Sequence, residues 1–266
     1  MKILMCAPSH YGIEYEINPW MDITKQVLPA EAVQQWEQLH HTLAGLGIDI
    51  ALIQQEPGVP DMVFTANAGL WYQNKIVLPH FKYPERQKET PFFRNWFLQQ
   101  GFSLWNDYDL EHPRIAHFEG AGDGLLAGDT LFVGYGFRSD KAFYEQASYF
   151  DHSKLIYCEL VNPKFYHIDT CFCPLNAHQA IWYPDAFSKE AQKNMRATIE
   201  LIDVPAEEAA HFACNAVVYD RHIVIPAATP ILTNKLRDLG MTVHHCEMTE
   251  YIKAGGACKC LTLRIG

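Results

Sequence analysis

The sequence predicts an α/β fold, a fivefold pseudosymmetric propeller of ββαβ units, and three observations lead to that prediction. Two apolar runs, a helical segment and a short closing strand recur along the 266 residues, with no low-complexity tract. The two ends of the chain together supply one such unit, which favours a closed ring over an open array. A polar or reactive residue also recurs at intervals of 45 to 52 residues, at Asn67, Glu119, His167, Asn215 and Cys260.

The first two units each begin with a predicted hairpin. Gly128-Asp129, between two apolar runs, is a strong turn signal. Phe93, Trp96 and Phe97 have the spacing of one helix face. The expected elements are strands 63–72 and 75–79, helix 84–100, strands 117–126 and 130–135, helix 141–150 and strand 154–158.

The remaining three units follow the same order. Ser188 is a plausible helix N-cap, and Gly240 is placed as a C′ glycine that ends a helix. We expect the recurring polar residues to lie in the first strand of each unit, around one central channel. The expected elements are strands 166–174 and 179–183, helix 190–201, strands 214–219 and 222–226, helix 229–240, strand 242–246, and a split unit of 256–265, 2–7, helix 29–46 and strand 49–54.

The length and composition favour one catalytic domain over residues 1–266. Hydrophobic residues make up 48% of the chain and charged residues 20%, as in ordinary globular proteins. The formal charge of −10 argues against nucleic acid as a partner, since phosphate binding needs clustered Lys and Arg. An acidic cleft suits a cationic small molecule. The sequence leaves open whether the chain forms a homo-oligomer.

The cysteines and the apolar segments bear on location and metal binding. No apolar stretch approaches the roughly 20 residues that span a bilayer, and the first apolar run is too short for a signal peptide. We therefore expect no membrane partner and a cytoplasmic protein with reduced thiols. The cysteines of Cys171-Phe172-Cys173 and of Cys258-Lys259-Cys260 are separated by one residue, whereas the cysteines of zinc knuckles are separated by about two to four. Neither a metal nor a cofactor is predicted.

Cys260 is the candidate nucleophile. It follows Gly255-Gly256 at the mouth of a predicted strand, where glycine permits close backbone approach. A single strand cysteine is more commonly inert core, so the interpretation depends on its companions. His167 could take and return a proton, and Glu119 could orient the imidazole or pair with a cationic substrate. The alternatives are a core histidine for His167 and a solvent-facing edge residue for Glu119.

Four further residues complete the candidate site. Asp169 is expected on the same strand face as His167, because strand side chains alternate. Arg138, beyond a glycine-rich strand end, could clamp a carboxylate bidentately or form a surface salt bridge. Asp61 lies at a strand mouth or in a simple turn, and Asn18 opens a loop that either forms a lid or packs the ring. Together these groups suit a zwitterionic substrate with its cationic end near the thiol.

Four stretches of the chain resemble the pentein superfamily of guanidine-modifying enzymes, and the resemblance extends over essentially the whole chain. The superfamily includes arginine deiminase, dimethylarginine dimethylaminohydrolase, amidinotransferases and arginine dihydrolases, all built as fivefold ββαβ propellers. The resemblance implies that Cys260 is the nucleophile, His167 the general acid/base and Glu119 its acidic neighbour. It implies that Arg138 binds the amino-acid carboxylate and Asp169 the guanidinium. The stretches are 61–68, 118–123, 167–169 and 255–263.

Asn67 departs from the deiminases, which have an acidic residue at this point of the motif. The arginine dihydrolase branch looks similar here and in the loop that Asn18 opens. That likeness implies hydrolysis of free L-arginine through an S-alkylthiouronium on Cys260, in two rounds that give ornithine, ammonia and carbon dioxide. The alternatives are one hydrolysis to citrulline, of deiminase or dimethylarginine dimethylaminohydrolase type, amidino transfer, or a ring-shaped binding protein without catalysis.

Overall fold

The computed structural model describes residues 1–105, 116–147, 150 and 154–266. Short strands alternate with helices along this part of the chain. In order they are β1 (Lys2–Cys6), α1 (Pro29–Gly45), β2 (Asp49–Ile53), β3 (Leu70–Tyr72), β4 (Lys75–Val77), α2 (Pro84–Gln87), α3 (Thr90–Gln99), β5 (Gly124–Ala127), β6 (Thr130–Tyr135), α4 (Lys141–Gln146), β7 (Lys154–Glu159), β8 (Phe172–Pro174), β9 (Gln179–Trp182), α5 (Lys189–Arg196), β10 (Glu200–Asp203), α6 (Ala206–Ala209), β11 (Val217–Tyr219), β12 (His222–Pro226), α7 (Pro230–Asp238), β13 (Thr242–Cys246), α8 (Thr249–Ile252) and β14 (Leu263–Arg264).

The strands form separate small sheets that repeat one pattern, and the predicted α/β class is confirmed. In the three-stranded sheets the middle strand pairs antiparallel with the first and parallel with the last, as in β5-β6-β7, β8-β9-β10 and β11-β12-β13. The split unit is β14-β1-β2, so the two ends of the chain share a sheet as predicted. In the two-stranded sheet β3-β4, Ile76 adds a parallel bridge to Leu104.

Local signals account for the helix ends. The Ser188 hydroxyl accepts a hydrogen bond from the Ala191 amide at 3.3 Å, so the predicted N-cap of α5 is confirmed. Gly240, with φ of +76°, follows α7 as the predicted C′ glycine. Helix α1 buries Trp36 and Leu39 with others on one face, the spacing expected when a helix packs on a sheet.

Three predicted helices differ clearly in extent from the observed ones. The helix expected over 84–100 is divided into α2 and α3, because Pro91 in the first turn of α3 lacks an N–H and cannot continue the preceding turn. The helix expected over 190–201 ends at Arg196, and its last two residues belong to β10. The helix expected over 141–150 is observed as far as Gln146, and residues 148–149 of it lie outside the described residues.

The prediction that the recurring polar residues lie within the first strands is wrong. Asn67 lies in a 3₁₀ turn ahead of β3, Glu119 and His167 each directly precede such a turn, and Cys260 precedes β14. Small residues and glycines in these stretches, with φ of +66° at Gly120, permit the tight turns. Each polar side chain is therefore carried at the entrance to a strand.

The first strands of all five sheets line one cavity of about 430 Å³. Its wall includes one apolar residue from each strand: Leu70, Leu125, Phe172, Val217 and Leu263. In the part of the chain that the structure describes, no helix has the length and apolar character needed to cross a membrane.

Candidate active site

The Cys260 thiol lies in a buried pocket between an amide and a carboxylate. Its Sγ is 3.5 Å from Asp169 Oδ2, and it accepts a hydrogen bond from Asn215 Nδ2 at 3.1 Å. Cys260 is 4% exposed and Asp169 is 1% exposed. Burial, and next the negative charge of Asp169, raise the pKa of the thiol. The resting sulfur is therefore a neutral thiol whose proton faces a carboxylate.

Asn215 fixes the backbone on which Cys260 stands. Its Oδ1 accepts hydrogen bonds from the amides of Lys259 at 2.9 Å and Cys260 at 3.1 Å, while Nδ2 also donates to the Asp169 carbonyl at 3.0 Å. One buried amide thus positions the Cys260 thiol and the neighbouring Asp169. The repeat marked Asn215, but no role was assigned to it from the sequence.

Glu119 lies between an imidazole and a guanidinium. Its Oε2 is 2.8 Å from His167 Nε2 and accepts from Arg138 Nη1 at 2.9 Å. The Lys82 amide donates to its other oxygen at 3.2 Å. Glu119 is fully buried, so the alternative of a solvent-facing edge residue is wrong.

These partners set the charges of the pair. Burial alone would raise the pKa of Glu119, but Arg138 and His167 hold it below its usual range. Burial lowers the pKa of His167 to about 4, against the opposing effect of Glu119. Glu119 is therefore a permanent carboxylate and His167 a neutral imidazole that can accept a proton at neutral pH.

The side chains of Asp169 and His167 contact different partners. The prediction that they share one strand face is wrong, because Ile168–Thr170 is a 3₁₀ turn that directs the two side chains to different partners. Asp169 faces Cys260, and His167 faces Glu119. Burial raises the pKa of Asp169 to about 6, although Lys259 and the hydrogen bonds from Cys260 and Asn215 oppose the shift.

Asn67 is held at both ends of its amide. Its Oδ1 accepts from Arg86 Nη1 at 2.9 Å, and its Nδ2 donates to the Glu119 carbonyl at 2.7 Å. Arg86 in turn forms a two-pronged pair with Glu89, with both N–O distances at 2.8 Å. Burial, and secondarily other acids, raise the pKa of Glu89 to about 7 even beside that guanidinium. Sequence reasoning missed Arg86 and Glu89.

Asp61 and Asn18 also border the site. Asp61 is buried in the 3₁₀ turn Pro60–Val63, with Oδ2 3.9 Å from Arg86 Nε and no hydrogen bond to Oδ1 among the described residues. Burial raises its pKa. Asn18 Nδ2 donates to the Ala254 carbonyl at 3.0 Å, and its Oδ1 accepts from the Trp20 amide, so this side chain ties its loop to the segment that leads to Cys260.

Arg138 is buried as well, so the alternative of a surface salt bridge is wrong. Its Nη2 donates to the Ile17 carbonyl at 3.0 Å, and the guanidinium stacks on Tyr83 and Tyr166, with 4.8 and 4.6 Å to the ring centroids. Arg138 thus connects the loop that contains Ile17 to Glu119.

One small cavity brings most of these side chains together. It is lined by the predicted residues Asn18, Asp61, Asn67, Arg138, His167 and Cys260 and by Arg86 and Tyr166, among others. Glu119 and Asp169 lie immediately behind His167 and Cys260. A wider cavity of about 380 Å³, also lined by Asn18, Arg138 and Tyr166, adjoins it. The small cavity presents a thiol, an imidazole, the Asp61 carboxylate and two guanidinium groups to a small polar ligand.

Known proteins resemble this chain over nearly its whole length. The family described as "N,N dimethylarginine dimethylhydrolase, eukaryotic" matches residues 13–266. A bifunctional arginine dihydrolase/ornithine cyclodeaminase, ArgZ of Synechocystis sp., is 40% identical over an alignment of 271 positions, which covers 100% of this chain and 38% of that protein. A dimethylarginine dimethylaminohydrolase of Mycobacterium tuberculosis is 36% identical over 99% of this chain and 85% of its own length. The chain thus spans well under half of the bifunctional relatives.

Solved structures of related proteins have the same fold as this chain. The N-terminal domain of ArgZ, in a cysteine-to-serine mutant bound to substrate, superposes with a TM-score of 0.93 at 40% identity, covering 99% of this chain and 97% of that one. A dimethylarginine dimethylaminohydrolase of Pseudomonas aeruginosa has a TM-score of 0.78 at 19% identity, over 99% of this chain and 98% of that one, a likeness of fold. The chain belongs to the N,N dimethylarginine dimethylhydrolase family, in the pentein superfamily that its motifs resemble.

Proposed function

We propose that this chain hydrolyses the guanidino group of free L-arginine in two rounds, giving ornithine, two molecules of ammonia and carbon dioxide. The observation that carries the proposal is the thiol of Cys260, 3.5 Å from the Asp169 carboxylate, in the same cavity as the His167 imidazole that Glu119 supports. A planar guanidinium between these groups has its carbon available to the sulfur and its N–H groups available to the carboxylates.

The first round begins with proton transfer. The neutral His167 takes the proton of the Cys260 thiol, and the cation in the cavity and the Glu119 carboxylate favour the resulting charges. The thiolate attacks the guanidinium carbon, and His167 returns the proton to the departing ammonia. The product is an S-alkylthiouronium on Cys260. Water activated by His167 then attacks its carbon, and the carbon–sulfur bond breaks to give citrulline.

The second round repeats this chemistry on the ureido carbon. The thiolate expels the second terminal nitrogen as ammonia and forms a thiocarbamate on Cys260. Hydrolysis of the thiocarbamate releases a carbamate of ornithine, which loses carbon dioxide. The intermediate between the rounds is neutral, so it must be held by groups that do not depend on a positive charge.

Asn67 is the residue that we propose favours the second round. An amide can donate to the carbonyl oxygen of a urea and accept from its N–H groups, whereas a carboxylate only accepts. A relative supports this assignment and the covalent route. The asparagine and the cysteine mutated in two ArgZ structures are separated by the same number of residues as Asn67 and Cys260, and the asparagine mutant is covalently bound to a reaction intermediate.

The amino-acid end of arginine would extend toward the wider cavity. Arg138 and Arg86 are the guanidinium groups on the wall of the small cavity, and Arg138 and Lys82 lie on the wall of the wider one. We propose Arg138 as the principal partner of the carboxylate, with Asn18 and Asp61 bordering the bound amino acid. The other functional assignments follow the predicted ones, with Glu119, His167 and Cys260 as catalytic residues and Asp169 as a guanidinium ligand.

We further propose that residues 1–266 form one catalytic domain whose five sheets close into a propeller around this site. The cavity lined by the first strand of every sheet supports that arrangement. All eight cysteines are free thiols, which supports a reducing cytoplasmic setting. The proposed partner is a small-molecule guanidine.

A single hydrolysis of dimethylarginine to citrulline is the second candidate, because the family description and the Mycobacterium tuberculosis relative carry that activity in their names. The deciding experiment incubates pure protein with arginine, agmatine and dimethylarginine and quantifies ammonia, citrulline and ornithine. We expect about two ammonia per ornithine from arginine, and poor turnover of agmatine, which lacks the carboxylate. Citrulline that accumulates in stoichiometric amount with enzyme in excess would refute the two-round reaction.

A further inference from the structure

A second cavity lies next to the active site and shares none of its lining residues. It has a volume of about 430 Å³, and the first strand of every sheet contributes to its wall. The active-site cavity is lined only by residues outside those strands, among them Asn67, His167 and Cys260. A volume of this size holds a small organic molecule. The cavity is therefore a separate candidate for ligand binding.

The charges on its wall have one sign. Lys259 and Arg264 line the cavity, and no aspartate or glutamate occurs among the described residues of its wall, although the whole chain has a formal charge of −10. A local excess of cations on an acidic protein attracts anions. The Lys259 ammonium donates to the Thr262 carbonyl at 3.2 Å and takes part in no ion pair within the described ranges.

The rest of the wall is apolar. Trp71 lies under the Arg264 guanidinium at 5.4 Å, and Phe172 and Leu263 line the interior. Leu126, also on the wall, is 40% exposed, so solvent reaches this cavity. An apolar wall with two cations fits a ligand that has a short hydrocarbon body and one anionic head group.

Lys259 connects the two cavities through the backbone. It directly precedes Cys260, and the amides of both residues donate to the same Asn215 oxygen. The Cys260 side chain lines the active-site cavity, whereas the Lys259 side chain lines the second one. Cys260 and the Lys259 cation therefore share one turn that Asn215 holds.

We propose that the second cavity binds a small organic monoanion through Lys259 and Arg264, and that its charge lowers the reactivity of Cys260. The proposed binding of the anion is independent of the proposed function, whereas the proposed effect on turnover rests on that function. An anion beside Lys259 offsets the positive charge that this residue presents to the neighbouring turn. In support, Lys259 lowers the pKa of Asp169 and of the Cys260 thiol, against the larger effect of burial on both.

Binding is tested by calorimetry with hexanoate, which has a five-carbon tail and a carboxylate. Hexylammonium, of similar shape and opposite charge, is the matched control ligand. We expect hexanoate to bind the wild-type protein with one site, and hexylammonium to bind at least tenfold more weakly. Both K259Q and R264Q should lose most of the hexanoate affinity, with unchanged thermal midpoints as evidence of folding. Equal binding of the two ligands, or full affinity in both variants, would overturn the site.

Coupling is tested by turnover of arginine. Hexanoate should reduce kcat about threefold with KM unchanged, as when the pKa of a reacting thiol rises by about half a unit. R264Q should retain the basal kcat and lose the inhibition, whereas K259Q should have a reduced kcat without hexanoate. Competitive inhibition would overturn the coupling, because it would place the ligand in the active site. A protein that binds hexanoate but turns over no guanidine would refute the proposed function and leave the site intact.

Discussion

The two buried carboxylates of the active site differ in a way that explains their separate roles. Glu119 contacts Arg138 and His167, and its pKa is held below the usual range. Asp169 contacts a thiol and lies near an amide, and burial raises its pKa to about 6. Both residues are almost fully buried, so burial favours a raised pKa in both. The two pKa shifts differ in direction because the partners of the two carboxylates differ.

This difference assigns each acid a type of chemistry. A carboxylate that remains charged can stabilise an imidazolium throughout the reaction, which is the need at Glu119. A carboxylate with a raised pKa is poorly stabilised by its neighbours and gains most when a cation binds beside it, which suits the role proposed for Asp169. In the proposed reaction, the guanidinium of the substrate is that cation.

The largest expected effect tests whether the thiol side performs the chemistry. Replacing Cys260 with alanine removes the nucleophile, and turnover of arginine should fall by at least about 10⁴-fold. Ammonia release is the measurement. Cys258→Ser is the matched control, because Cys258 is also buried but does not line the active-site cavity. Comparable turnover in C260A and wild type would show that Cys260 is not the nucleophile, whereas the absence of turnover in the wild type would favour a binding protein.

A smaller but still large effect is expected on the imidazole side. Glu119→Gln removes the charge that supports protonated His167, so kcat should fall by about 10³-fold with a modest change in KM. The control is Asp140→Asn, which removes a similar partner, 2.8 Å from His117 Nδ1, at a half-exposed site. If D140N reduced kcat as much as E119Q, the loss would reflect stability and not the role of Glu119.

The comparison also shows what the sequence could predict. Turn residues and alternating apolar runs are local signals, so the repeating units, the Ser188 cap and the split unit were predicted correctly. The 3₁₀ turn that contains Asn67 and the one that follows His167 were predicted as strands, because apolar residues flank them and the 3₁₀ geometry follows from packing. Local sequence does not encode which segments meet.

The same limit applies to the site. Cys260 and its companions were identified by their spacing and by family resemblance, whereas Arg86 and Glu89 were missed. Both lie in a segment rich in charged residues that reads as an exposed helix, and only the tertiary fold buries them beside Asn67. A site role for Asn215 could have been predicted from the repeat. Asn215 is the recurring polar residue of the unit directly before that of Cys260, and it corresponds to Asn67 in its own unit.

The ratio of citrulline to ornithine tests the proposed role of Asn67. Asn67→Asp retains an acceptor for Arg86 but loses the Nδ2 donor to the Glu119 carbonyl, leaving a carboxylate that faces a neutral urea poorly. We expect the citrulline to ornithine ratio to rise by about tenfold or more, since each lost hydrogen bond to a charged or buried group costs about 1.5 kcal/mol. Chromatography of the products is the measurement, with the exposed Asn74→Asp as control. An unchanged ratio in N67D would remove Asn67 from the choice between one and two rounds.

The smallest effect, a pH dependence, separates Asp169 from the other acid with a raised pKa. The pKa of Asp169 is raised, so this carboxyl is protonated below about pH 6 in the empty site and its guanidinium ligand is lost there. Because kcat/KM reports the free enzyme, it should fall about fivefold from pH 6 to pH 5. Glu89, with a pKa raised to about 7, could produce a similar fall. Glu89→Gln distinguishes them: the acidic limb should persist near pH 6 in this variant if Asp169 causes it. Its disappearance in E89Q would instead assign the limb to the Arg86–Glu89 pair, and the contrast between Glu119 and Asp169 would no longer explain how the site responds to pH.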